Sequence, residues 1–306
     1  MTTAWVFPGQ GAQSVGMGRA VCAASPAARA LFDQAHAVLG FDIAALCFDG
    51  PADALTRTEN AQPALLLVEA ALLVARGWGA AGAGELVDEE PLVAPAFVAG
   101  HSLGEYAALW AAGALSFATA LQLVRRRGEL MAAATEGTMA AVLGLDATAL
   151  TEVCAEASVL GPVVIANENA PGQVVISGAT AAVARAGELA KARGAKRIMP
   201  LQVSAAFHSP LMQAAADGLA VALAAATMHN ARIPVISNVT ALPLTEASAI
   251  RRELVAQITA PVRWVASVEY LADHGVTAIT EWGPGNVLTG LCKRIAPGLA
   301  LRNVAG

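Results

Sequence analysis

The chain has 306 residues, of which 56% are hydrophobic and 14% charged, with a formal net charge of −5. That length supports one large core, or a large domain with a smaller one set into it, and so apolar a composition excludes a disordered chain. The negative balance argues against nucleic acid as a partner.

At the N-terminus, "AWVFPGQGAQ" (4–13) reads as a buried strand running into a glycine-rich loop, unlike a signal peptide. "SPAARALFDQAHAVLG" (25–40) reads as a helix with Ser25 as N-cap, Pro26 at its first position and Gly40 at its end. "NAQPALLLVEAALLVARGWG" (60–79) is a second helical stretch, and "GAAGAGELVDEEPLVAP" (79–95) an exposed acidic loop. "APAFVAG" (94–100) is a buried strand. The charge-free run Tyr106 to Val124 is long enough for a membrane span. Gly113, Ser116, Thr119 and Gln122 interrupt it, and Ser116 caps a new helix, so two buried helices are expected and no span.

From Met139 the pattern changes. "MAAVLGL" is a strand, "DATALTEVCAEASVL" a helix capped by Asp146, and "PVVIAN" and "QVVISG" two strands joined by "ENAPG". "TAAVARAGELAKAR" is a helix and "KRIMPLQV" a last strand. The order βαββαβ is the ferredoxin-like arrangement. The expected organisation is α/β: a large domain from 1–138 and 205–306, with a small domain at 139–204 inserted into it. The large domain resumes at "SAAFHSPLM" and includes the strand "TAITEWG". Cys22, Cys47, Cys154 and Cys292 have no metal-ligand spacing and are expected as free thiols of a cytoplasmic protein.

Gly100-His101-Ser102-Leu103-Gly104 matches the G-x-S-x-G elbow, in which a strand turns sharply into a helix and exposes the serine hydroxyl at the helix N-terminus. A serine nucleophile needs a base. His101 is its neighbour, and adjacent side chains on an elbow diverge. His36, His229 and His274 lie in or near helices, whereas His208, in "AAFHSPLM", lies on a loop after a strand, where catalytic groups gather. Arg125, Arg126 and Arg127 lie mid-helix after a mostly apolar run, and the residues alone do not choose among them. Gln257, by its residue type alone, reads as a helix-surface glutamine.

"FPGQGAQ" (7–13), "GHSLGE" (100–105), "RRRGELM" (125–131), "NENAPGQVVISG" (167–178), "FHSPLM" (207–212), "LVAQITAPVRW" (254–264) and "GPGNVLTGLCKRI" (283–295) follow one another in a family-specific order. Over essentially its whole length the chain resembles the malonyl-CoA:acyl carrier protein transacylases and the related acyltransferases of polyketide synthesis. The resemblance implies a hydrolase-like large domain with a parallel sheet and an inserted ferredoxin-like small domain. It implies Ser102 as nucleophile, His208 as its base, and a carbonyl at Gln257 orienting the histidine in place of an aspartate. It implies backbone N–H groups of Gln10 and Leu103 as the oxyanion hole, and Arg127 as the group that pairs with the free malonyl carboxylate. His101 is placed with the substrate-contacting residues, and Phe207 is expected to favour malonyl over methylmalonyl by crowding an α-methyl group.

The implied reaction is ping-pong transfer from malonyl-CoA to the phosphopantetheine thiol of an acidic acyl carrier protein, in polyketide or fatty acid biosynthesis. No cofactor or metal, no nucleic acid and no membrane is expected, and the protein is expected to be a monomer. Docking an acidic partner on a net-negative protein needs a local basic patch. Lys191, Arg193, Lys196 and Arg197 offer one, Lys293 and Arg294 another. Two other classes are weighed against this: an acyl hydrolase that clears carrier proteins, which has no need of Arg127, and a non-catalytic module, which has no need of Ser102 or His208. "GAGELVDEEPL" (82–92) is longer than the family pattern, and its acidity could bear on carrier choice.

Overall fold

Several helices start where a side chain can take up a free backbone N–H. The structure is a computed structural model that describes residues 2–79, 92–203 and 205–305. The acidic loop singled out above therefore lies outside the described residues, apart from Leu92. In chain order, β1 (Thr3–Phe7) leads to α1 (Arg19–Ala24), α2 (Pro26–Leu39), α3 (Ile43–Asp49), α4 (Ala52–Thr56) and α5 (Thr58–Val74). β2 (Phe97–Gly100) is followed by α6 (Gly104–Ala111) and α7 (Phe117–Ala133). Next come β3 (Thr138–Leu143), α8 (Ala147–Ala157), β4 (Val163–Ala170), β5 (Gln173–Gly178), α9 (Thr180–Ala192) and β6 (Arg197–Pro200). The chain returns through α10 (Gln213–Ala225), β7 (Val235–Ile236), β8 (Pro243–Leu244), α11 (Ala247–Ala256), α12 (Trp264–Asp273), β9 (Ala278–Trp282), α13 (Val287–Ile295) and β10 (Ala300–Val304).

Caps do what the sequence expects of them. The side chain of Ser25 accepts from the Ala28 N–H, that of Ser116 from Thr119, and that of Asp146 from Ala149, each satisfying a helix-end donor. Gly40 closes α2 in the left-handed region. No helix among the described residues is long and apolar enough to cross a membrane.

The larger sheet has the order β10-β9-β1-β2-β7-β8, with every pair parallel except β7 with β8. Its strands β1 and β2 read as continuous apolar runs because both faces are covered by helices. The second sheet, order β4-β5-β3-β6, is antiparallel throughout, with α8 and α9 packed into its own apolar cluster, the ferredoxin-like arrangement. In this sheet, β4 and β6 end away from the sequence expectation. β4 runs on through Glu168, Asn169 and Ala170 with two register shifts, so only Pro171 and Gly172 make the turn. β6 ends at Pro200, although the Leu201 N–H still donates to the Met139 carbonyl of β3 at 3.0 Å; Gln202 and Val203 lie beyond the sheet. Backbone bonds from Glu168 to Val262 (2.9 Å) and from Val262 to Ala166 (2.8 Å) tie β4 to the segment before α12.

α5 is buried along almost its whole length, which is why its sequence shows no polar face. Pro63 inside it removes the N–H that would bond to the Glu59 carbonyl. Arg125 of α7 replaces that donor, its Nη1 lying 2.9 Å from the Glu59 oxygen. A Cβ on Gly128 would sit 2.7 Å from the Glu59 Cα, so glycine there lets α7 press against α5. That contact sets Arg127 beside Gln62 of α5.

Candidate active site

The elbow is built by close approach. A Cβ on Gly100 would lie 1.9 Å from the Gly104 carbonyl carbon, and one on Gly104 would lie 2.0 Å from the Phe7 oxygen. Neither position admits a side chain, so β2, β1 and α6 meet around the intervening residues. Ser102 sits at φ 52°, and His208 at φ 57°. Among the described residues the only other non-glycine with positive φ is Ala241. Such backbone costs about 1–3 kcal/mol per residue and persists where its surroundings fix it.

Asn238, just beyond β7, fixes the elbow. Its Oδ1 accepts from the Ser102 N–H at 2.7 Å, and its Nδ2 donates to the Gly100 carbonyl at 2.6 Å. The Ser102 Oγ lies 2.8 Å from His208 Nε2. His208 Nδ1 lies 2.8 Å from the Gln257 carbonyl and 3.2 Å from that of Ala260. A carbonyl can only accept, so Nδ1 carries the proton and Nε2 presents its lone pair to the serine O–H. Burial, together with the nearby Arg127 charge, pulls His208 down to about 3, against the two carbonyl bonds that favour its charged form. The imidazole is therefore neutral at neutral pH.

Arg127 is 1% exposed, unlike Arg126, which is half exposed, and Arg125, which is spent on Glu59, Asn60 and Glu129. The structure thus separates three arginines that their residue type and spacing alone could not. Arg127 Nη2 donates to Ser102 Oγ at 3.0 Å and to Gln257 Oε1 at 2.9 Å, and Nη1 donates to Gln62 Oε1 at 2.9 Å. Its guanidinium lies 5.8 Å from the Tyr106 ring centroid. Burial pulls its pKa down, with Tyr106 and Glu105 opposing. A guanidinium is not deprotonated in proteins, so the site keeps a cation against the serine oxygen.

Gln257 is fully buried, which corrects the surface placement its residue type suggests. It caps α11, whose end turns inward beneath the serine, and its Nε2 donates to the Ser102 carbonyl at 2.9 Å. Gln10 and Leu103 line the same cavity, and no described acceptor takes the backbone N–H of either. His101 points away from the serine, as the divergence expected of neighbours implies, and its Nε2 lies 2.8 Å from Asn169 Oδ1 on β4. Its ring leans on Trp264 at 5.7 Å between centroids. Burial holds His101 below the ordinary imidazole value, partly offset by Asn169.

Ser102, Arg127, His208, Gln10 and Phe207 all border one cavity of about 310 Å³. Met139 and Asn167 come to it from the small sheet, and Leu201, Gln202 and Val203 from the segment after β6. His36, His229 and His274 are not among its lining residues. Sequence reasoning missed Gln62, Glu105, Asn169 and Asn238. Gln62 carried a signal, as a polar residue at the head of a long apolar run broken only by Glu69, and Glu105 another, as the acid closing the elbow motif. Asn238 had none, because the elbow groups its side chain holds are more than 130 residues away in the chain. Among the described residues no cluster of His, Cys, Asp and Glu could hold a metal ion.

The arrangement can activate a serine, steady negative charge on it and hold an anionic group beside it. The acyl transferase domain pattern matches residues 4–294. The chain is 47% identical to the malonyl CoA-acyl carrier protein transacylase of Bacillus subtilis over 296 residues, 95% of this chain and 90% of that protein. It is 48% identical to the Escherichia coli (strain K12) enzyme of the same description over 298 residues, 95% and 92% of the two chains. It also matches the polyketide biosynthesis protein ThaF of Burkholderia thailandensis, 44% identical over 99% of this chain and 25% of that longer protein. Among solved structures, an acyl-carrier-protein S-malonyltransferase from Bartonella henselae superposes with a TM-score of 0.93 at 41% identity, covering 100% and 96% of the two chains. A malonyl-transacylase in complex with a type II PKS acyl-carrier protein superposes with a TM-score of 0.91 at 43% identity, covering 99% and 96%.

Proposed function

The chain belongs to the acyl transferase family, and from that premise we propose that it moves a malonyl group from malonyl-CoA to the phosphopantetheine thiol of an acyl carrier protein, in polyketide or fatty acid biosynthesis. The observation that carries this is the buried cation: Arg127 lies 3.0 Å from the Ser102 hydroxyl, where a hydrolase of neutral esters has no use for it.

The serine O–H gives its proton to His208 Nε2 as Oγ attacks the thioester carbon. The carbonyl oxygen of the tetrahedral intermediate takes the negative charge and is met by the N–H groups of Gln10 and Leu103. When the C–S bond breaks, the CoA sulfur takes the proton from His208, leaving malonyl-serine. In the second half the carrier thiol gives its proton to His208, attacks the ester carbon, and the proton returns to Ser102 Oγ. The Gln257 and Ala260 carbonyls stabilise the imidazolium in both halves by accepting from Nδ1. Arg127 turns toward the malonyl carboxylate, pairing with both its oxygens as a guanidinium fork can. Phe207 narrows the wall beside the α-carbon, favouring malonyl over methylmalonyl. No cofactor is called for in these steps. The chain works as a cytoplasmic monomer, with residues 139–204 as the small domain that covers the site and 1–138 with 205–306 as the catalytic domain.

The test is mass spectrometry after mixing with malonyl-CoA, methylmalonyl-CoA or acetyl-CoA. Malonyl-CoA should leave a stable adduct on Ser102. Arg127→Ala should slow malonylation by about a hundredfold or more, as loss of a charge-stabilising donor does, and spare acetylation. Equal loss with both donors would remove Arg127 from malonyl binding, and turnover to free malonate without carrier transfer would point to a hydrolase.

A further inference from the structure

Glu105 closes the GHSLGE motif, is 1% exposed and takes no part in the transfer steps above. It lies in the first turn of α6, and both of its oxygens accept hydrogen bonds. Oε2 accepts from Gln257 Nε2, and Oε1 accepts from the Asn238 N–H at 3.3 Å. Chemistry fixes the direction of these bonds. Arg127 can only donate, so the Gln257 side-chain oxygen must face it, and Nε2 must then face Glu105 and the Ser102 carbonyl. Likewise the Ser102 N–H only donates and the Gly100 carbonyl only accepts, which leaves Asn238 one amide orientation. Burial and the neighbouring Glu253 push the Glu105 carboxyl well above the ordinary carboxylate range, and its bonds to Gln257 and Asn238 and the Arg127 charge offset this only in part. An N–H donor faces each of its oxygens, so in this geometry both act as acceptors. The side-chain amide of Gln257 and the backbone N–H of Asn238 thus meet on one carboxylate. The Asn238 side chain brackets the nucleophile elbow. The Gln257 side chain touches Arg127 and the Ser102 carbonyl, and the Gln257 backbone carbonyl orients His208.

We propose that Glu105 is a positioning residue for malonyl transfer, a double acceptor that holds Asn238 against the nucleophile elbow and Gln257 beneath Arg127 and His208. This rests on the malonyl-transfer function given above and adds a part to the same site. An amide of the same shape has a single accepting oxygen. Glu105→Gln sets an NH₂ group against either the Gln257 amide or the Asn238 N–H, donor against donor, and one of the two branches must move. A displacement of about 1 Å in a reacting group costs about a hundredfold in rate.

The experiment measures Ser102 malonylation from malonyl-CoA by rapid-quench mass spectrometry, with thermal melts alongside. The proteins are wild type, Glu105→Gln, Gln257→Glu, the double variant, Glu105→Asp and Glu105→Ala. Each of Glu105→Gln and Gln257→Glu should lose about a hundredfold in kcat/KM. The double variant exchanges donor and acceptor between the two side chains while an oxygen still faces Arg127, so it should regain about tenfold over either single change. A purely structural role makes the double variant at least as poor as the worse single one, and that result overturns the proposal, as does a Glu105→Gln protein that matches wild type. Should Glu105→Gln not accumulate folded, Glu105→Asp decides, because it keeps two accepting oxygens. It should retain clearly more activity than Glu105→Ala, and equal loss in the two overturns the proposal. Wild-type protein that takes no malonyl group at Ser102 refutes the transfer function itself, whereas malonylated wild type with an indifferent Glu105→Gln refutes this inference alone.

Discussion

His208 works as a base because its surroundings keep it uncharged. Burial first, and then the Arg127 cation, lower its pKa to about 3, well under the ordinary imidazole value. The base form therefore persists as pH falls through the usual histidine range. The kcat/KM for malonyl-CoA, read from the rate of adduct formation, should change less than about twofold between pH 7.5 and pH 5.5, where an unperturbed histidine would lose about tenfold. A midpoint near 6.5 would contradict a neutral, desolvated imidazole. The same shift acts on stability. Below 6.5 the unfolded chain binds a proton at this residue that the folded chain refuses down to about 3, so stability falls across that window on acidification. His208→Gln should flatten the acid limb of a pH–melting curve. Cys47, Cys154 and Cys292 offer no rival nucleophile, since burial raises their thiols to about 12, 11 and 12.

At the scale of elements, the pairing of α5 with α7 sets the site. Pro63 leaves the Glu59 carbonyl without its helical donor, and Arg125 supplies one from the neighbouring helix. The guanidinium also reaches Asn60 and Glu129 and lies 5.2 Å from the Phe41 ring centroid. Arg125→Met should cost about 1–3 kcal/mol, mostly from polar groups left without a partner. Pro63→Ala restores the missing N–H, so it should recover about 1 kcal/mol more in the Arg125→Met background than in wild type. Urea denaturation of the four proteins measures this coupling, and equal effects of Pro63→Ala in both backgrounds would show that Arg125 does not replace the lost helical donor. This division of labour explains why three consecutive arginines differ: one ties two helices, one faces water, and one enters the site.

For the whole molecule, the negative net charge requires that an acidic carrier protein be met by a local patch. Arg193 is engaged by Glu152 and Glu156 at 2.9 and 3.0 Å, and Arg294 by Gln173 and the Pro171 carbonyl. Lys191 on α9, Lys196 in the turn before β6 and Arg197 at the start of β6 are exposed, and β6 leads directly into Leu201, Gln202 and Val203 at the cavity. Lys196→Glu with Arg197→Glu should raise the KM for carrier protein about tenfold and leave that for malonyl-CoA unchanged, and an unchanged carrier value removes this patch from docking. The elbow serine, the strand–helix order and the helix caps were legible in the sequence because each rests on local rules: small residues at a sharp turn, side-chain oxygens at helix starts, apolar periodicity. β7 and β8, two residues each, and the edge strand β10 were not legible, since their pairing partners rather than their own composition make them strands. Residue type alone neither chose Arg127 over its neighbours nor turned Gln257 inward, and only the family resemblance pointed to them; the grip of Asn238 and Glu105 on the elbow came only with the tertiary structure. These placements depend on which groups meet across 25 to 155 residues of chain, in a buried space where an unpaired polar group is costly.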